Sequence, residues 1–336
     1  MVILKEGMNE MNPWKIDVAV LCIFFARPIP FEKTFEEVRK ARPRVLLLWQ
    51  DGPRDGRPDD LENIEQCRKI AENIDWECEV YQNYHSENMG CDPSTHLAHK
   101  WAFSIVDKCI ILEDDLVASQ SFFAFCKSML DKYEYDSRIS RICGTNLLDK
   151  YEIPYDYFFA KTGNSHGWAS WKRVANLWET DYSFLEDTYT VSCMERSNGN
   201  IEKQKKWINL CRCRKAEGIP YWEEIVGAES LYESQLVIFP SKNMITDIGI
   251  DVNSTHAPKE IKELPKNVRD MFNLERYEIS FPLKEPKYVI ADELFPELCR
   301  NKYHSKTERL EGIINKLRYG GINEVLKSVQ KRVRRN

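Results

Sequence analysis

No run of apolar residues in this chain approaches the roughly 20 needed to cross a bilayer. The first residues, MVILKEGMNEMNPW, carry no basic segment ahead of a long apolar core. No secretory signal is therefore expected, and the reading places the protein in the cytoplasm. There is no CxxC pair, and Cys211-Arg-Cys213 is too tight for usual zinc spacing. The eleven cysteines are scattered, and several, such as Cys22 and Cys109, fall inside apolar patterns, which predicts buried reduced thiols. A large excess of one charge is also missing. The net charge of −5 gives no reason to expect a nucleic-acid partner. The stretch after the first strong strand, FFARPIP, contains no glycine. A glycine-rich phosphate loop, the usual device of enzymes that synthesise sugar nucleotides, is absent from that place.

What is present points to a globular protein. With 336 residues, 43% of them hydrophobic and 12% aromatic, the chain can bury a sizeable core. Its most informative stretch is Lys108-Cys109-Ile110-Ile111-Leu112-Glu113-Asp114-Asp115-Leu116. The four-residue apolar run reads as a strand buried on both faces, broken by three consecutive carboxylates. Helical spacing follows from Ser119 through Phe122, Phe123, Phe125, Met129 and Leu130. In an α/β sheet such a turn lies at the carboxyl end of a strand, where ligands bind. Adjacent like charges repel, so a compensating cation is expected, and Mg²⁺ or Mn²⁺ with phosphate oxygens suits carboxylates. The plainer alternative is helix capping, with Ser119 offering the cap.

Ahead of that turn the pattern predicts three strand–helix units. The strands are Lys15–Phe25, Val45–Trp49 and Glu77–Tyr81, and the helices run from about Phe31 to Lys40, from Leu61 to Ile74 and from Ser94 to Val106. This order implies an α/β fold with a mixed, mostly parallel sheet flanked by helices. Beyond it come a strand at Arg141–Gly144, a helix opened by Tyr221-Trp222-Glu223-Glu224, and a strand at Leu236–Phe239. Gly167 and Trp168, expected in a loop, suit a flat platform for a sugar face, with core packing as the alternative. Residues 14–258 are taken as one domain and 259–336 as a linker and basic helical extension. In the extension, Leu310, Ile313, Ile314 and Leu317, then Ile322, Leu326, Val329 and Val333, form apolar stripes among many lysines and arginines. Such helices lie on anionic membrane surfaces or pack as a solvated pair, so peripheral membrane contact through residues 303–336 is an expectation.

Taken together, FFARP, LLLWQDG, the Asn-Met-Gly-Cys loop, IILEDDLVASQSFFAF, GWASWKR, PSKNMITDIG and a final Ser-Thr-His span Val18 to about His256. In that order they resemble GT-A glycosyltransferases, bacterial in type and distantly similar to N-acetylglucosaminyltransferase I. The resemblance implies metal-dependent inverting transfer from a nucleotide-sugar, expected to be a UDP-sugar, to a glycan or lipid-linked glycan, as in surface polysaccharide synthesis. It implies nucleotide contacts from Phe25, Arg27, Asp51, Glu113 and Asp114, with Asp51 on a pyrimidine ring nitrogen and Asp114 on the ribose. Asp115 and His256 would hold Mn²⁺ or Mg²⁺ with the diphosphate. Glu223 or Glu224, where relatives more often show Asp, would be the base, with Glu229 and Asp187 as further candidates. Gly167 and Trp168 would line the sugar side. The competing readings are a sugar-nucleotide-synthesising nucleotidyltransferase and a non-catalytic carbohydrate-binding protein.

Overall fold

The computed structural model describes residues 2–3, 12–197, 201–250, 262, 264–272, 274–303, 311, 314–315 and 318. His256 and nearly all of the basic extension lie outside the described residues, and so do the expectations attached to them. The first half runs β1 (Val2–Ile3), β2 (Ala19–Phe24), α1 (Pro28–Ala41), β3 (Val45–Gln50), α2 (Pro58–Ala71), β4 (Glu79–Tyr84), α3 (Cys91–Ile105) and β5 (Lys108–Glu113). Then come β6 (Leu116–Ala118), α4 (Gln120–Lys132), β7 (Ile139–Cys143), β8 (Tyr157–Ala160), β9 (Trp168–Trp171) and α5 (Lys172–Ala175). The remainder is α6 (Thr188–Arg196), α7 (Ile201–Glu217), α8 (Trp222–Tyr232), β10 (Leu236–Pro240), β11 (Ile245–Asp247), α9 (Lys266–Met271) and α10 (Leu294–Tyr303).

Nine strands form one sheet in the order β1-β4-β3-β2-β5-β9-β7-β10-β8. Strands β2 to β5 pair in parallel, as do β7 and β10, while β1, β8 and β9 run against their neighbours. The fold is thus α/β with a mixed, mostly parallel sheet. Alternate residues of its central strands enter two different cores. Val20, Cys22, Leu46, Leu48, Ile110 and Leu112 pack with α1, α2 and α4. Leu21, Ile23, Leu47, Trp49, Cys109 and Ile111 pack with α3, α6, α7 and α8. Burial on both faces is why these strands read as unbroken apolar runs.

Some boundaries moved for local reasons. Helix α1 begins at Pro28 rather than at Phe31, because proline in the first turn surrenders an N–H that no helix bond would use. Ser119 makes no side-chain cap on α4. Glu278, from the expected linker, caps it instead, accepting from Gln120 N at 2.9 Å and Ser121 N at 2.7 Å. Residues 274–303 continue across the body of the protein. Ile279 is buried in the core, Ala291 bridges to Phe159, and Phe295 packs on Phe158 at 4.7 Å. This segment belongs to the sheet it covers.

Candidate active site at the β2–β5 strand ends

From β2 the chain adds β3 and β4 on one side, and α3 then carries it back to β5 on the other side of β2. Loops leaving β2 and β5 diverge at their carboxyl ends, which opens a crevice for a ligand. Phe25 and Arg27 follow β2, and Glu113, Asp114 and Asp115 end β5. The expected nucleotide and metal residues are therefore brought together by topology.

Their contacts are specific. Arg27 Nη1 lies 2.6 Å from Asp115 Oδ2 and 3.4 Å from Asp114 Oδ1, and Nη2 donates to the Gly249 carbonyl at 2.9 Å. Phe25 N donates to Asp114 Oδ2 at 3.3 Å, and Thr34 Oγ1 to the Asp114 carbonyl at 3.1 Å. Here the cation that answers the carboxylates is Arg27. Glu113 is half-buried, and burial, with Asp115, Asp114 and Glu223 nearby, holds its pKa well above the usual carboxylate range.

A second ribbon completes the acidic wall. β11 pairs antiparallel with β6, placing Asp247 opposite Leu116, and Ile248 N donates to the Asp115 carbonyl at 2.9 Å. Gly249 N donates to Asp247 Oδ1 at 2.7 Å. A Cβ on Gly249 would overlap Asp115 Oδ2 and lie 3.0 Å from Asp247 Oδ1, so the two carboxylates converge on one point. Burial raises the Asp247 pKa and the Asp115 charge adds to it, while His166 opposes, its Nδ1 standing 3.7 Å from Asp247 Oδ2. Asp247 and His166 are functional candidates that sequence reasoning missed. Asp247 stands inside PSKNMITDIG and His166 directly precedes GWASWKR, but nothing local links residue 247 to residue 115; strand pairing does.

Helix α8 sends the two adjacent glutamates to different surroundings. Trp222 is buried and stacks on Trp168, ring centroids 5.9 Å apart and 8° from parallel. His99, fully buried and held neutral with its pKa pushed down to about 3 by burial, meets both indoles edge-on at 4.8 and 5.1 Å. This packing seats the start of α8 beside the loop before β9. Glu223 is exposed there and accepts from Ser165 Oγ at 3.0 Å, and its charge reaches Glu113. Glu224 points elsewhere: its charge acts on Tyr182 and Cys211, and burial raises its own pKa. Glu229 is completely buried, two turns from the crevice end of the helix. Asp187 caps α6 from the surface, accepting from Tyr189 N at 2.9 Å and Thr190 Oγ1 at 2.7 Å, bonds that lower its pKa.

Two expectations are corrected. Trp168 is 2% exposed, in a central strand, and offers no platform to a sugar; Gly167, at φ +68°, makes the turn into that strand against Ile245. Asp51 is 6% exposed, and its oxygens accept from the N–H groups of Gly52, Met89 and Gly90 and from Asn88 Nδ2. It fastens the 88–90 loop, so base contact by its carboxylate requires that these bonds open. Phe25 is half-buried, with the Arg54 guanidinium 5.3 Å over its ring.

Among the described residues, no group of three or more His, Cys, Asp or Glu side chains is arranged to hold a metal ion by itself. The oxygens that face each other at Gly249 are taken up, Asp115 Oδ2 by Arg27 and Asp247 Oδ1 by Gly249 N, so a hard cation here would use the other oxygens of these carboxylates with phosphate and water. No helix among the described residues is long and apolar enough to cross a membrane.

No family model matches the chain, and no curated protein matches it. Solved structures similar to it include apo UDP-glucose pyrophosphorylase, at 10% identity over 69% of this chain and 93% of that one, TM-score 0.32. The same enzyme complexed with UDP-glucose shows 11% identity over 68% and 93%, TM-score 0.33. A 4-diphosphocytidyl-2C-methyl-D-erythritol synthase from Anaerococcus prevotii shows 12% identity over 57% and 84%, TM-score 0.28. Likeness this low bears on neither activity nor ligand.

Proposed function

We propose that this chain is a metal-dependent inverting glycosyltransferase of the GT-A kind, transferring a sugar from a UDP-sugar to a hydroxyl of a glycan or lipid-linked glycan. The observation that carries the reading is the meeting of Arg27, Asp114 and Asp115 at the β2–β5 switch point, with Glu223 within electrostatic reach of Glu113, the acid that precedes them. Phe25 and the 88–90 loop wall the base side, and Asp114 faces the ribose. A Mn²⁺ or Mg²⁺ ion held by Asp115, with Asp247 beside it and His256 as a further ligand, would offset charge on the departing diphosphate. Arg27, whose Nη groups are held by Asp115 and the Gly249 carbonyl, would exchange one of these bonds to reach the phosphates.

Glu223 takes the proton of the acceptor hydroxyl as that oxygen attacks the anomeric carbon, and the bond to the diphosphate oxygen breaks on the opposite face. Ser165 orients the Glu223 carboxylate. The basic extension is proposed to hold the protein at an anionic membrane surface near a lipid-linked acceptor. A nucleotidyltransferase reading asks for a glycine-rich loop between β2 and α1, where this chain has Phe25-Ala26-Arg27-Pro28.

The test is a thermal-shift screen of nucleoside diphosphates and nucleotide sugars, with Mn²⁺ and with a chelator. A Mn²⁺-dependent shift that Asp115→Asn abolishes is expected; binding at 100 times Kd adds about 2.7 kcal/mol of stability. Glu223→Gln should keep that shift and lose transfer. A chain that no nucleotide stabilises would refute the proposal.

A further inference from the structure

The segment that crosses the body of the protein runs along β8, the last strand of the sheet, and its fit there is uneven. Lys284 N donates to Asp156 Oδ2 at 2.6 Å, the Lys284 carbonyl accepts from Asp156 N at 2.8 Å, and Ala291 bridges to Phe159. Between these anchors the strand side advances three residues, about 10 Å, whereas the segment spends seven, which extended would cover about 23 Å. The surplus bows outward. Val289 turns into the core, while Tyr288 and Ile290 on either side of it turn out and are 67% and 73% exposed. Leu294, which opens α10, is 53% exposed.

The charges around this bow are sorted as well. Each of its acids is answered: Glu285 by Lys132 at 2.6 Å, Glu293 by Lys161 at 2.6 Å, and Asp292 by the Tyr151 hydroxyl at 2.9 Å. Lys284 and Lys287 enter no ion pair among the described residues, and Lys287 Nζ stands 5.2 Å from the Tyr288 ring centroid. Exposed aliphatic and aromatic side chains flanked by lysines suit a bilayer interface, where the apolar groups enter the headgroup layer and the ammonium groups reach lipid phosphates. Beyond α10, residues 304–336 hold nine lysines and arginines against three glutamates. The ten residues of α10 put Tyr303, where that stretch starts, about 14 Å from Leu294. A second copy docked on the same face would set two such cationic stretches against each other, whereas an anionic bilayer attracts them.

We propose that this β8-edge bow is a membrane-docking face, with Tyr288, Ile290 and Leu294 seated in the headgroup layer of an anionic bilayer. The inference rests on the reading that the basic extension contacts such a surface, and adds the apolar contact made by the folded body. Stable peripheral attachment takes two signals, because a single weak one gives reversible binding. The placement also orients the site. β8 lies on the same side of β5 as β9, whose preceding loop carries Ser165 against Glu223, while β3 and β4 lie on the other side. The acceptor side of the crevice then faces the bilayer and the nucleotide side faces water.

The test is co-sedimentation of the full chain with phosphatidylcholine vesicles containing about 30% phosphatidylglycerol, and with phosphatidylcholine alone, at about 0.1 M salt. The wild type should partition at least about tenfold more strongly into the anionic vesicles. Tyr288→Ser with Ile290→Ser should lower that partition coefficient about tenfold and leave Tm within about 1 °C, because both side chains are exposed in the folded protein. Ile290→Trp should tighten binding about threefold and carries the test if the double variant does not fold. Lys331→Gln, Arg332→Gln, Arg334→Gln and Arg335→Gln together should weaken binding, and adding the two serine changes should weaken it further. A wild type that ignores anionic vesicles overturns the extension reading and this inference together, and equal binding to both vesicles overturns the anionic assignment. Wild-type binding that the serine changes leave within about threefold keeps the extension reading and sinks the docking face. A dimer that those changes split into monomers, with vesicle binding unaltered, would assign the face to a second copy and overturn the proposal.

Discussion

Replacing Glu229 by glutamine separates a buried structural acid from the proposed base, Glu223. Glu229 is completely buried in α8, Oε2 accepts from Ser230 Oγ at 3.4 Å, and Oε1 has no hydrogen-bond partner among the described residues. Burial pushes its pKa up to about 8 against the opposing charge of Arg141. The native state thus keeps a proton that the unfolded chain gives up near pH 4 to 4.5. Because the folded pKa lies above the unfolded one, this contribution to stability is complete below about pH 4.5 and is lost progressively as pH rises through about 8. Roughly 3.5 units at 1.36 kcal/mol each set a ceiling of about 5 kcal/mol, and relaxation around the carboxylate brings the expected size to about 2–3 kcal/mol. With an unfolding entropy near 0.7 kcal/mol/K for 336 residues, that is about 3–4 °C in Tm. The uncharged, nearly isosteric glutamine removes the penalty. Melting curves of both proteins from about pH 5 to about pH 9 should diverge in favour of Glu229→Gln as pH rises, with transfer unchanged. A pH-independent offset would refute the buried-proton argument, and loss of transfer in a folded variant would move the base to Glu229.

Gly249→Ala places a methyl group against Asp115 Oδ2, so Mn²⁺-dependent nucleotide affinity should fall about tenfold, or 1.4 kcal/mol; an unchanged Kd would mean the two carboxylates do not share that point. Glu278→Ala leaves Gln120 N and Ser121 N at the start of α4 uncapped and should lower stability by about 1 kcal/mol, read as a Tm drop of about 1–2 °C. Trp168→Ala should destabilise by about 3–5 kcal/mol as a core truncation; donor Kd in the folded fraction should hold, whereas a selective loss of donor binding would restore the platform role. Glu224→Gln should retain transfer where Glu223→Gln loses it, and the reverse pattern in a kcat comparison would shift the base by one residue.

The sequence alone determined the layers and the acidic turn. Strands β2, β3 and β5 are legible because residues alternating between two buried faces must all be apolar, and because a run of Glu113, Asp114 and Asp115 cannot continue such a strand. Arg27, Asp114 and Asp115 were readable as strand-end residues on the same grounds. Only tertiary structure decided which elements meet. Strand β9 follows β8 in the chain but inserts antiparallel between β5 and β7, which buries Trp168 where local pattern suggested a surface loop. Pairing of β11 with β6 brings Asp247 to Asp115 across 132 residues of chain, and Glu278 reaches α4 in the same long-range way. Which of two adjacent glutamates faces the crevice was set by Trp222 seating on Trp168 and His99. Periodicity reports how a residue is buried; it carries no record of the partner that buries it, because pairing free energy comes from packing and hydrogen bonds between segments distant in sequence.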